Sequence, residues 1–239
     1  MIRGLSVLIA VTIASPPAPA AGQQARSLIT VNPTDLMMTV GEDARKDLRP
    51  ADALHAFGEV LALEPRDYEA LWRSARESVS LGALSESDDE RRRRFRDAEE
   101  FARDAIEVNP EGAAAHLWLA VALGRRATVE GPRTKVQLAV EMRKWALRTL
   151  ELDPLNPGAH HVLGEWHAEI RRLSGVTRWA ARKLLGAGVF DEASWVDAEF
   201  HLHRAVELDP SSPSHRLALG RLHLDRGRPD AAVRQLRRR

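Results

Sequence analysis

The chain has 239 residues, 29% of them charged, with 35 Lys and Arg against 34 Asp and Glu, a formal net charge of +1 and no cysteine. So even a balance leaves no bulk electrostatic argument for nucleic acid, and the missing thiols exclude disulfide stapling, thiolate metal sites and a cysteine-borne lipid anchor. Ala, Leu, Arg and Glu are abundant and apolar–polar alternation is scarce, which predicts an all-α chain.

Residues 1–20 read as a secretory signal peptide. Arg3 gives a positive start, residues 4–14 are an apolar run, and Ala18-Pro19-Ala20 supplies small residues at the cleavage positions. The run is too short to span a bilayer, so an exported protein, periplasmic or secreted, is expected. Residues 21–35 are polar and mixed and are read as a flexible lead-in. A solenoid is expected over residues 36–239, with a short first helix over residues 36–48.

Residues 49–64 carry Ala53, Phe57 and Val60 on one helical face, and Pro65 ends the run. Residues 68–81, with the string LWRSAR from Leu71, form the expected antiparallel partner. Residues 85–94 (SESDDERRRR) are read as a helix start with acids at its positive end and arginines one turn later, hence a solvated face. Ala98, Ala102 and Ala105 follow at spacings of four and three, closed by Pro110, and AAAHLWLAVALG from Ala113 is the next partner helix. Residues 125–134 are expected to be a loop and residues 136–152 a helix ended by Pro154. HHVLGEWHAEI from His160 carries the next apolar face, and GVTRWAARKLLG holds an inserted helix over residues 176–185. The small-residue face then returns at Ala198, Leu202 and Ala205, closed by Pro210. A last pair of runs holds Leu219-Gly220 and then Gly227, Ala232 and Leu236.

Alanines at these spacings let paired helices approach closely, and each proline stops one helix before the next. This is the pattern of the tetratricopeptide repeat, normally about 34 residues long. The prolines at 65, 110, 154 and 210 are more widely spaced, so the fold expected is an all-α, tetratricopeptide-like helical-hairpin solenoid with expanded repeats and one inserted helix. About five hairpins fit the length, with Gly220 expected to keep a crossing thin.

The strings LWRSAR, AAAHLWLAVALG, TLELDPLNPGAHHVLGEW, WAARKLLG and AVELDP, in this order and spacing, resemble the regulator of microtubule dynamics family. The resemblance runs from about residue 49 to residue 236. It implies an all-helical scaffold and, through at least one member similar to a lipid-transfer module, a lipid or apolar ligand. The export signal departs from the animal members and makes a microtubule partner unexpected.

In such solenoids the first helix of each pair lines the concave surface. Counting from the closing prolines puts Trp72, Arg76, Leu117, Val121, Arg125, His161, Glu165, Leu217 and Arg221 there. An apolar middle ringed by arginines suits an extended protein or peptide segment, and also a lipid with an anionic head. In the insertion, Val176, Trp179, Ala180 and Leu184 make an apolar stripe flanked by Arg178, Arg182 and Lys183, read as a lid docked on the solenoid or as a peripheral membrane contact. His160, His161 and His167 with Glu165 lack an HExxH string, and the first two point to different faces. They are read as packing or surface histidines, with no metal expected. No glycine-rich phosphate loop, nucleophile elbow or isolated carboxylate pair is present, so neither an enzyme nor a cofactor is expected.

Overall fold

The computed structural model describes residues 32–237, which form eleven α-helices and one 3-10 helix. The expected signal peptide lies outside the described residues. In order the helices are α1 (Pro33–Lys46), α2 (Pro50–Leu63), α3 (Tyr68–Leu84), α4 (Asp88–Val108), α5 (Ala113–Arg126) and α6 (Pro132–Leu152). They continue as α7 (Pro157–Arg172), α8 (Gly175–Leu185), the 3-10 helix (Gly188–Glu192), α9 (Trp195–Leu208), α10 (Pro213–Asp225) and α11 (Pro229–Arg237).

The helix starts are local chemistry. Proline occupies the first turn of α1, α2, α6, α7 and α10, where its missing N–H costs nothing. Side-chain oxygens of Asp67, Ser87, Asn156, Ser174, Ser194 and Ser212 accept from free backbone N–H groups of the helices that follow. Each closing proline stands three residues before the next helix: Pro65 before Tyr68, Pro110 before Ala113, Pro154 before Pro157, and Pro210 before Pro213. Helix α3 runs three residues past its expected end, to Leu84, α5 runs on to Arg126 inside the expected loop, and two helix starts differ most from expectation. Helix α1 begins at Pro33, inside the expected lead-in, because Asn32 caps it. Helix α6 begins at Pro132, inside the expected loop, because that proline is an N-terminal helix residue and not a breaker.

Five hairpins result: α1–α2, α3–α4, α5–α6, α7–α9 and α10–α11. Ala53, Ala98, Ala102, Ala105, Ala146, Ala198 and Ala205 are wholly buried along their seams, as the small-residue spacing predicts. Glycine takes the closest approaches. A Cβ on Gly41 would meet the Phe57 ring at 2.4 Å, one on Gly82 would meet Phe95 at 2.4 Å, and one on Gly164 would meet Leu202 at 2.6 Å. Gly220 is looser than expected, with Leu236 at 3.5 Å, so the last crossing would tolerate a methyl group.

The first helices of successive hairpins touch one another, α3 with α5, α5 with α7, and α7 with α10. Among the described residues the second helices make no comparable contacts, so the first-helix side is the inner, concave one.

The insertion lies between the two helices of the fourth hairpin. Trp166, Ile170, Ala181, Ala187, Phe190 and Ala193 form one buried cluster, joined by Val136, Ala139 and Val140 of α6. The Trp166 indole N–H donates to the Ala139 carbonyl at 2.8 Å, and Phe190 meets the indole edge to face at 5.9 Å. The inserted helix therefore docks on the flank of α6, a second helix.

Candidate functional site

The inner face divides into two chemically different parts. In the N-terminal part, Arg76 is only 6% exposed and its charge is already matched. Its guanidinium donates to Glu42 of α1 at 2.9 Å and to Glu77 at 2.6 Å. Arg73 reaches the same Glu42 at 2.7 Å and stacks 4.2 Å from the Trp72 ring. The Trp72 indole N–H donates to Glu69 at 3.0 Å. Burial pushes the Glu42 carboxyl up, but hydrogen bonds and charge from Arg76 and Arg73 outweigh it and hold the group below its ordinary range. Two expected groove residues, Trp72 and Arg76, thus sit in a network that ties α1 to α3. Sequence spacing could not find this, because Glu42 is 34 residues from Arg76.

In the C-terminal part, Leu117 closes over Gly158 at the start of α7, where a Cβ would lie 2.9 Å from its methyl. Val121 is half-buried beside Leu117, and both pack on a cluster of Ala120, Ala146, Val162 and Leu163. Arg125 is exposed and close enough to His161 to disfavour its protonation. Burial, then the neighbouring His215, then Arg125 push the His161 imidazole down to about 4. The rings of His161 and His215 are 4.9 Å apart. Burial raises the Glu165 carboxyl, an effect that the charges of Arg172 and Arg221 offset only in part. His161 Nδ1 and Glu165 Oε1 are buried with no hydrogen-bond partner in the chain.

Beside them α10 offers Leu217, 61% exposed, then Arg221 and Leu224 at helical spacings of four and three. Arg221 lies 3.5 Å from Glu169, and Arg172 pairs with Glu169 and Asp225. The structure therefore brings Arg125, His161, Glu165, Leu217 and Arg221 to one stretch of inner face. His215 and Leu224 join them without having been singled out. Leu224 was readable one turn beyond Arg221, whereas nothing in the spacing marks His215. The stretch pairs exposed apolar carbons with two arginines and with buried polar atoms that have no hydrogen-bond partner in the chain. Among the described residues no group of three or more His, Asp or Glu side chains converges as a metal site.

On α8 the residue that docks is Ala181, not the Val176–Trp179–Ala180–Leu184 stripe. A single small residue lets the 11-residue helix lie close to α6, and Gly186, at a φ of 70°, turns the chain beneath Trp166. Val176, Trp179 and Leu184 are left exposed. Arg182 pairs with Asp191 at 2.8 Å, and Lys183 is exposed. Among the described residues no helix is long and apolar enough to cross a membrane.

The chain is similar to known proteins over this whole region. The model of the family described as regulator of microtubule dynamics protein 1-3 matches residues 36–239. Regulator of microtubule dynamics protein 1 of Bos taurus is 30% identical over 181 residues, which are 72% of this chain and 56% of that protein. Regulator of microtubule dynamics protein 3 of Rattus norvegicus is 28% identical over 209 residues, covering 82% of this chain and 44% of that protein. The chain thus spans about half the length of these relatives. A solved thermophilic tetratricopeptide-repeat protein of Thermus thermophilus superimposes with a TM-score of 0.60 at 22% identity, over 84% of this chain and 87% of its own. That likeness is one of fold.

Proposed function

The chain belongs to the regulator of microtubule dynamics protein 1-3 family, and from that premise we propose that it is a non-catalytic scaffold binding an extended segment of a partner protein. The observation that carries this reading is the unfilled stretch of inner face across α5, α7 and α10. Exposed Leu217 and Leu224 would take apolar side chains, and the exposed Arg125 and Arg221, the latter shared with Glu169, an acidic one. The N-terminal half of the face, satisfied by its own Glu42, Glu69 and Glu77, contributes little. The apolar run of residues 4–14 supports an exported location, in which the partner is a cell-envelope protein.

Selection of a phage-displayed peptide library against the full chain tests this. Selected peptides are expected to carry an acidic residue flanked by apolar ones. Leu217→Asp and Arg221→Glu should each weaken their binding by roughly tenfold or more, since each removes a central contact. Trp72→Ala should leave it unchanged. Peptides indifferent to both α10 substitutions would refute the reading.

A second reading rests on the exposed stripe of α8. Val176, Trp179 and Leu184, flanked by Arg178 and Lys183, fit the surface of an anionic bilayer. Vesicles of phosphatidylcholine with phosphatidylglycerol are expected to sediment the protein and to shift Trp fluorescence to the blue. Trp179→Ser should abolish both effects. Absence of sedimentation at low salt would rule out this contact.

A further inference from the structure

Seven of the nine histidines lie on α7, α9 and α10, and each pair of these helices is joined by a histidine pair. His160 of α7 meets His201 of α9, Nδ1 to Nδ1 at 2.9 Å. His161 of α7 meets His215 of α10 with ring centroids 4.9 Å apart, and His203 of α9 meets His223 of α10 at 5.7 Å. His167 adds to the first pair, stacked on His201 at 5.9 Å and accepting from the Ser194 N–H at 3.3 Å. We propose that this three-helix junction is an acid-sensitive joint, in which protonation of the paired imidazoles loosens α7, α9 and α10 while the α3–α4 hairpin keeps its packing.

Proton counting shows where the junction is intolerant of acid; His203 differs, its Nε2 lying 3.8 Å from the Glu199 carboxylate. His160 can give its Nε2 proton to the Pro154 carbonyl at 3.3 Å, which leaves its Nδ1 to accept from His201. One proton bridges the two Nδ1 atoms, so the pair can carry one charge, through His201 Nε2, but a second charge would break the bridge. His161, His215 and His223 each have a buried Nδ1 with no partner in the chain, so an imidazolium there would bury an unmatched N–H. Burial lowers His160, His161, His167, His201, His215 and His223 alike, His161 and His201 to about 4.

The surrounding charges act in both senses. Arg204 faces His160, Arg125 faces His161, Arg143 faces His167, and Arg228 and Arg234 face His223; all oppose protonation. Asp197 favours it at His167 and His201, as do Glu192 at His167, Asp209 at His215 and Glu199 at His223. None of these reverses the net direction. A histidine lowered on folding binds its proton more readily in the unfolded chain, so stability is complete above the unfolded value of about 6.5 and falls as pH drops towards about 4. Glu165 works the other way, since a raised carboxyl favours folding as pH falls. Glu42 and Glu90, held low by arginines, lose their contribution only below the ordinary carboxylate range, so near pH 5 the N-terminal ion pairs persist.

Hydrogen–deuterium exchange of the full chain near pH 7 and near pH 5, corrected for intrinsic rates, tests the joint. Peptides from α7, α9 and α10 should lose protection at the lower pH by roughly thirtyfold for a histidine shifted as far as His161. Peptides from α3 and α4 should keep theirs. Uniform loss, or none, would overturn the proposal. His161→Gln with His201→Gln should remove most of the selective loss, and His55→Gln, on an exposed site of α2, should leave it intact. If the double variant does not fold, imidazole titration by NMR in the unaltered protein decides. Midpoints well below the ordinary value support the joint, and ordinary midpoints overturn it.

Discussion

Replacing Trp166 with alanine is expected to cost about 3–5 kcal/mol, the range for removing a large buried aromatic side chain. Trp166 is 1% exposed and stands where α6, α7 and the insertion meet. Its ring carries the edge of Phe190, its N–H satisfies the Ala139 carbonyl, and Arg143 lies 5.2 Å above its face. Truncation would open a cavity that α8 cannot collapse to fill, because Ala181 is its one buried residue. The insertion should therefore release before the hairpins do. Limited proteolysis of Trp166→Ala is expected to cut within residues 174–194, with urea unfolding reporting the loss of stability. Intact protection of that segment would mean that the cluster does not hold the insertion.

The second large effect is expected at the α1–α3 junction. Glu77→Ala should destabilise the chain by about 3 kcal/mol, because it leaves Arg76 buried with one of its two carboxylate partners. Glu77 is itself 1% exposed, so solvent cannot take the carboxylate's place. Joint replacement, Arg76→Met with Glu77→Leu, should recover most of the loss, since a buried pair exchanged for apolar side chains of similar volume is often neutral. Urea midpoints of the three proteins decide the matter. A loss below about 1 kcal/mol for the single variant would show that Glu42 and water meet the needs of Arg76.

These two junctions also explain the division of the inner face. Where a first helix carries well-buried arginines hydrogen-bonded to a glutamate of its predecessor, the surface is satisfied internally, as at Trp72, Arg73 and Arg76, whereas Arg221 stays exposed at 3.5 Å from Glu169. Where burial leaves polar atoms without a partner, as at His161 and Glu165, the face is not satisfied internally and lies beside the exposed leucines of α10. The proposed ligand face is therefore narrower than the nine residues that the repeat register selects. It would be centred on the fourth and fifth hairpins and would share His161 and His215 with the proposed histidine joint.

The sequence by itself determined the helices, their order and the seams between them. Capping oxygens, prolines at helix starts and small residues at spacings of three and four all act within one or two turns, so a single pass along the chain exposes them. The five hairpins, the inserted helix and the buried Ala98, Ala102, Ala105, Ala198 and Ala205 follow from these signals alone. The register also indicated which helices face inwards. Only the tertiary structure decided which polar side chains are already matched: Glu42 reaches Arg76 across 34 residues, and His160 reaches His201 across 41. It also decided that α8 turns Ala181, and not its apolar stripe, towards α6. The physical reason is common to all three. Helical periodicity fixes the faces of an element, but the rotation and offset between packed helices fix which side chains meet, and these emerge only when the whole array is assembled.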